Sequence, residues 1–296
     1  VMEGGGADAP LFVQGDHKRP GETVKRRFLD AINAEPFETQ GSGRLELAEH
    51  LASATNPLTD RVIVNRLWHH VFGNGLVGTL DNFGRLGEKP THPELLDWLA
   101  ATFRAEGGSL KSMIRRLVLT DAFARSSKAP GDAAVKDPEN RLLSHWSVRR
   151  MEAEAVRDSM LALSGSLDQT LYGEPVPGSS ARRSIYVQVI RNRLDPLLTT
   201  FDAPVPAATR GKRDSTNVPA QSLALLNDPA VQQWAKAWAM RSSGLPEARA
   251  GAMIREATGR SATEDELRAA LAYLESNRAE VGELKAQNQR TLAAQK

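Results

Sequence analysis

Apolar residues recur at helical spacing along most of this chain, and the clearest case is Val62–Phe72. Successive residues set about 100° apart place Ile63, Val64, Leu67, Trp68, Val71 and Phe72 on one half of the helix. Arg66 and His69 fall on the opposite half, with His70 and Asn65 at its edges, so these four polar side chains are expected to face away from the packing. Gly73 follows the last apolar residue, where a left-handed C-terminal cap belongs. Gly75, Gly78, Gly84 and Gly87, with Asp81 and Asn82 among them, then predict a compact loop. Thr91-His92-Pro93-Glu94 opens the next helix, with Thr91 as N-cap, Pro93 in the first turn and Glu94 reaching back. Leu95, Leu96, Trp98 and Leu99 are its buried candidates.

Helical spacing also marks Arg44–Ser53 and the segment after Ser109, where Leu110, Ile114, Leu117 and Val118 are the apolar positions. Arg149–Ser164 follows, with Met151, Ala155, Val156, Met160 and Leu163. Ala220–Leu226, Ala230–Arg241, Glu247–Thr258 and Glu264–Ala279 read as helices too, the last opening on a Thr263/Glu266 capping box. Ser126–Pro138 and Leu194–Val218 are loops by composition. Only Arg183–Ile190 alternates strictly, with Ile185, Val187 and Val189 on one side, and it is the best strand candidate. It needs a partner, for which Leu11–Gly15, ahead of a turn at Arg19-Pro20-Gly21, or a piece near Leu76 is available. The expected fold is mainly α, a multi-helix domain with a minor two- or three-stranded sheet. The expected organisation is a linker or preceding tail over residues 1–40, a helical domain over 41–279 and a polar, frayed tail over 280–296.

The run NPLTDRVIVNRLWHHVFGNGLVGTLDNFGRLGEKPTHPELLDWLA, from Asn56 to Ala100, is followed in order by RRSIYVQVIRN at 182–192, FDAP at 201–204 and VPAQSLALLND at 218–228. Together these strings resemble the signature of planctomycete-specific domain one, a family of unknown function, from Gly41 to Ala279. The resemblance implies a domain at the C-terminal end of large exported proteins, behind cytochrome-c-like modules, in bacteria rich in sulfatases and glycan-degrading systems. On that reading VMEGGGADAPLFVQGDHKRPGE is the tail of a preceding module, and any export signal or haem belongs to upstream sequence. The family supplies no established catalytic residues.

Composition narrows the function classes. With 41% hydrophobic and 25% charged residues and a net charge of +2, the chain reads as an ordinary globular protein and not as a dedicated polyanion binder. No apolar run of about 18 residues occurs, so no membrane span is expected. The absence of cysteine excludes disulfides and a C-x-x-C-H attachment for haem c, and no cofactor is expected in this chain. Gly73–Gly78 spells G-x-G-x-x-G, but it follows a helix instead of a strand, so a cap and turn are expected and not a pyrophosphate cradle.

His69 and His70 are adjacent on a helix and diverge by about 100°, so they cannot share a metal ion on one face. A metal site would need one of them with His92, Asp81 or Asp97, and none is expected; these histidines are read as holding the glycine loop. Arg66 and His69 share a face. With His70, His92, Arg191 and Arg213 they form the candidate binding surface, for an anionic glycan or the carboxylates of a protein partner. Arg182, Arg183, Arg191, Arg193, Arg210, Lys212 and Arg213 are the densest basic cluster, yet Asp195, Asp202 and Asp214 interleave. Paired charges are therefore expected across this stretch, and no nucleic-acid surface. Asp228 before Pro229 reads as an N-cap, and the five tryptophans fall mostly at core positions.

Two functions remain open. One is an accessory or docking domain of a larger exported, cytochrome-linked protein, with the other modules of the parent chain as partners and a link to glycan breakdown. The other is a redox or glycan-directed enzyme domain whose cleft is lined by Arg66, His69, His92, Arg191 and Arg213. Convergence of those cations in one enclosed pocket would favour the enzyme, and local pairing with carboxylates the accessory domain.

Overall fold

The computed structural model describes the backbone of residues 5–294 and the side chains of residues 5–283. It is mainly helical, with one two-stranded antiparallel sheet among the described residues. By its internal contacts the chain divides into two units, one up to Arg149 and one from Arg150 onward, so the division lies within the 41–279 segment.

In the first unit, β1 (Ala9–Phe12) pairs with β2 (Pro20–Val24), Ala9 opposite Val24 and Pro10 opposite Thr23. The connecting turn is closed by the Val13 amide donating to the Arg19 carbonyl at 3.0 Å, so it precedes Pro20, and Gly21 lies inside β2. The helices that follow are α1 (Arg44–Ala52), α2 (Leu58–Phe72), α3 (Pro93–Ala105), α4 (Leu110–Val118) and the single turn α5 (Ala133–Lys136). Helices α2, α3 and α4 pack around Val64, Trp68, Phe72, Leu96, Leu99, Phe103, Met113 and Leu117. Phe123 stands edge-on to Trp146, with ring centroids 4.9 Å apart, and closes one end of this core.

The apolar face of α2 is the one its spacing predicts, except at Asn65. That residue is 0% exposed and does not face away from the packing. Its amide donates to the Val77 carbonyl at 3.0 Å and its carbonyl accepts the Val77 N–H at 2.9 Å. A backbone segment with no strand partner is thereby paired by one side chain. Leu76, Val77 and Leu80 are buried, and the Thr91 N–H donates to the Leu76 carbonyl at 2.8 Å. The glycine-rich loop is thus fastened into the core at both ends. Gly73 takes φ +92° as the C-terminal cap, its N–H bonded to the His69 carbonyl at 2.7 Å. A Cβ on Gly75 would stand 2.4 Å from the Val77 carbonyl oxygen, so close packing explains that glycine.

Other assignments shift by a residue or a face. His92, not Thr91, is the N-cap of α3, and no side chain caps it. Trp98 is 52% exposed, with the Arg116 guanidinium 5.6 Å above its ring, because the buried stripe runs through Leu96, Leu99, Ala100 and Phe103. In α4 the stripe is Met113 and Leu117, four apart, which turns Leu110 and Ile114 outward. Ser109 caps α4 as expected, accepting from the Ser112 N–H.

The second unit holds α6 (Ala153–Ser164), α7 (Pro196–Thr200), α8 (Pro219–Asn227), α9 (Pro229–Arg241), α10 (Pro246–Thr258) and α11 (Glu264–Ala294). Its core gathers Ala153, Val187, Leu197, Leu198, Phe201 and Val231, with Val156, Met160 and Trp234 against them. Asp228 caps α9, accepting from the Ala230 and Val231 amides. The Thr263/Glu266 capping box forms at the start of α11 in both directions. Helix α11 does not stop at Ala279 but runs on to Ala294; the last two residues of the expected tail, and the first four of the chain, lie outside the described residues. Helix α6 begins at Ala153 and not at Arg149, since Glu152 is extended and Met151 exposed. No described helix is long and apolar enough to cross a membrane.

Asn65→Ala leaves both Val77 backbone groups buried without partners. It is expected to cost about 2–4 kcal/mol, the sum of two unmade buried hydrogen bonds. Chemical denaturation checks this, and Asn65→Asp, which would bury a carboxylate against the Val77 carbonyl, is expected to cost at least as much near neutral pH.

Candidate functional site

The strand expected over Arg183–Ile190 does not form. A short 3-10 turn occupies Ser184–Tyr186, and Val187 makes only an isolated bridge with Val176. Of the alternating set, Val187 is buried, while Ile185 and Val189 are exposed. The physical reason lies on α6. Arg157 is 1% exposed, in the same stripe as Ala153, Leu161 and Ser164. Its Nη1 donates to the Arg182 carbonyl at 3.0 Å and to Ser184 Oγ at 3.1 Å, and its Nη2 to the Gly178 carbonyl at 2.8 Å and to the Ser180 carbonyl. Asp158 accepts both the Ser184 N–H, at 2.7 Å, and its hydroxyl, at 2.6 Å. The carbonyls just ahead of the expected strand are drawn onto one guanidinium and the Ser184 N–H onto Asp158, so the chain turns where the strand would begin.

Burial pulls the Arg157 pKa down, and the nearby carboxylates of Asp158 and Asp195 oppose that pull. The ring of Trp234 lies 5.8 Å from the guanidinium carbon. A Cβ on Gly178 would meet Asp195 Oδ2 at 1.8 Å, so a larger residue there would have to push the Asp195 carboxylate aside. Arg182 fastens the outer part of the same loop, donating to the carbonyls of Thr170, Tyr172 and Glu174 with its guanidinium 4.1 Å from the Tyr186 ring.

The folded-back segment forms one wall of a cleft of about 450 Å³, within the range of small-ligand sites. Ser184, Val187, Gln188 and Val189 come from that segment, Leu198 and Thr199 from α7, and Pro204, Val205, Pro206, Arg210 and Arg213 among others from the loop beyond. That loop is held by Asp202, in a left-handed conformation at φ +66°, which accepts the Thr216 N–H and hydroxyl, each at 2.8 Å. Those hydrogen bonds, the backbone one first, together with Arg150 hold its carboxyl below the usual range. Buried Gln221 bridges the same loop, donating to the Thr200 carbonyl at 3.0 Å and to Thr216 Oγ1 at 3.2 Å.

Charge inside the cleft is paired locally. Arg213 Nη1 lies 2.6 Å from Glu154 and 3.6 Å from Glu152. Burial is the largest influence and pushes the Glu154 carboxyl up, but the Arg213 hydrogen bond, a backbone hydrogen bond and the Arg213 charge together outweigh it, so its pKa stays below the ordinary carboxylate range. The same contact raises the pKa of Arg213. Arg210 pairs with Asp214, and Asp195 caps α7 by accepting the Leu198 N–H at 2.9 Å.

Of the residues singled out by sequence, Arg66, His69, His70 and His92 lie in the first unit, and Arg191 and Arg213 in the second. Arg66 and His70 are exposed on α2; His69 is half-buried, its ring 5.4 Å from that of His70. His92 stands at the start of α3 with Nδ1 2.9 Å from Thr91 Oγ1. Arg213 lines the cleft, whereas Arg191 is exposed and does not. Among the described residues no three histidine or carboxylate side chains gather as ion ligands. Sequence reasoning missed Arg157, Asp158, Ser184 and Glu154. The available signal was Arg157 at the centre of an i, i+4, i+8 series with Ala153 and Leu161, directly before an aspartate.

The pairing of Glu154 with Arg213 is present above the ordinary carboxylate range and is lost as pH falls through the depressed Glu154 value. Glu154→Gln is therefore expected to be less stable than the parent near neutrality by at most about 1 kcal/mol, the worth of a half-exposed pair. The two stabilities should converge in acid, which melting curves from pH 7 to pH 3 test. Arg157→Ala is expected to cost about 3–5 kcal/mol, as for a broken buried charge network. Arg157→Met should lose stability as well, since the loop carbonyls still lack donors; urea titration measures both.

Compared with known proteins, residues 43–274 match the family described as PSD1, protein of unknown function (DUF1553). No curated protein and no solved structure matches the chain.

Proposed function

The chain belongs to the PSD1 family, planctomycete-specific domains of unknown function, and we propose that it works as a non-catalytic binding domain, an accessory module of a larger exported protein. The observation that carries this reading is the local neutralisation of the cleft. Arg213, the one candidate cation that lines it, is committed to Glu154 and Glu152. A guanidinium meant to stabilise charge developing on a substrate is held ready for that charge by its surroundings. Here its counter-charge is already supplied by the protein. Of the two hydroxyls in the wall, Ser184 is engaged by Asp158 and Arg157 as part of a backbone clamp, and Thr199 donates to the carbonyls of Asp195 and Pro196. The exported, cytochrome-linked setting and the connection to glycan breakdown rest on the family resemblance. Exposed Arg66 and His70 on α2 supply a second, polar surface suited to contact with the parent's other modules.

A thermal-shift screen of the chain against neutral oligosaccharides, sulfated oligosaccharides and short peptides, with each hit re-isolated and weighed by mass spectrometry, tests this. At least one class is expected to raise the melting temperature and to be recovered unchanged; ligand at about 100 times its Kd stabilises by about 2.7 kcal/mol. Chemical conversion of a hit, or no stabilising hit in any class, overturns the binding-domain reading.

A further inference from the structure

We infer that the cleft of the second unit takes an uncharged, extended peptide segment through its aliphatic side chains, an inference that rests on the binding-domain reading. Three features select this chemistry. First, the lining is charge-balanced: Glu154 and Asp195 face Arg210 and Arg213, and both arginines are already paired with carboxylates. An anion entering the cleft must displace Glu154 from Arg213, and a cation must displace Arg213 from Glu154, so a neutral occupant disturbs least. Sulfated glycans and nucleic acids are disfavoured on this ground.

Second, the walls are branched aliphatic side chains and prolines, notably Val187, Val189, Leu198 and Pro204-Val205-Pro206. Bases of single-stranded nucleic acids are held by stacking on aromatic faces, and none of the described lining residues supplies one. Aliphatic side chains bury well against such walls, at about 25 cal/mol for each Å² removed from water. Val205 and Val189, 53% and 67% exposed, are available to that contact.

Third, the polar groups suit a peptide backbone. Pro204 and Pro206 carry carbonyl acceptors and no N–H, so on that wall they can only receive hydrogen bonds. Gln188, exposed at the rim, offers both an acceptor and donors in one amide, the complement of a peptide group. A chain segment presenting N–H groups toward the proline wall and a carbonyl toward Gln188 meets both.

The experiment titrates the full ¹⁵N-labelled chain with acetyl-Val-Leu-Val-amide up to about 5 mM, where even a millimolar complex is mostly formed. Shift changes are expected to map to the amides of Val187, Gln188, Val189 and Val205. Val205→Asp and Val189→Asp, at exposed positions that leave the fold intact, should each weaken binding about tenfold, as loss of an apolar contact plus an unpaired charge requires. Val135→Asp, at an exposed site in the first unit, should change nothing. Acetyl-Asp-Leu-Asp-amide and acetyl-Lys-Leu-Lys-amide should bind more weakly than the neutral peptide. Absence of saturation, shifts outside the cleft, insensitivity to Val205→Asp, equal binding of a charged peptide, or tighter binding of cellotetraose or a sulfated tetrasaccharide at these amides overturns the assignment. In those cases the binding-domain reading stands or falls separately, because it fails only when bound molecules are converted or nothing binds at all.

Discussion

A guanidinium taken out of water must find a hydrogen-bond acceptor for nearly every N–H it carries, and Arg157 finds them in three carbonyls and one hydroxyl of a single loop. Four of its hydrogen bonds end on residues 178–184, and the neighbouring Asp158 closes the same turn from the other side. Because Arg157 itself is buried, the loop cannot relax outward without stranding its charge. The wall of the cleft and the seat of Val187 in the second core follow from this one placement.

The first unit solves a related problem without charge. Asn65 offers one donor and one acceptor, and Val77 needs one of each. The amide stands in for a neighbouring strand at a point where the chain crosses an apolar core. The two devices differ in kind: one is a neutral amide matched to one peptide group, the other a buried charge spread over several acceptors.

Much of the helical scaffold was legible because it rests on local periodicity. The stripe of α2, the caps at Ser109 and Asp228 and the Thr263/Glu266 box are properties of a few consecutive residues, and they fold as they read. The errors share a physical cause. Asn65 looks like a surface residue on a helical wheel, since a wheel prices polarity without knowing whether a backbone group is waiting inside. Trp98 reads as core, but the packing of α3 turns it outward, where Arg116 covers it. Arg183–Ile190 alternates as a strand does, and what cancels the strand is an arginine some thirty residues earlier. Long-range satisfaction of polar groups is invisible to spacing, and the cleft is built from such groups. Its location therefore could not be read, although Arg213 could be named.

The fastening of the glycine-rich loop has a consequence for how this part of the molecule can vary. Its ends are closed upon each other by the bond between Leu76 and Thr91, while Leu86 at its outer edge stands almost wholly in solvent. Such a closed excursion behaves as an Ω-loop, whose tip is decoupled from the scaffold beneath. The tip is accordingly a natural port for grafting: sequence can be inserted, lengthened or chemically labelled there while the hinge points, and the core they seal, stay as they are.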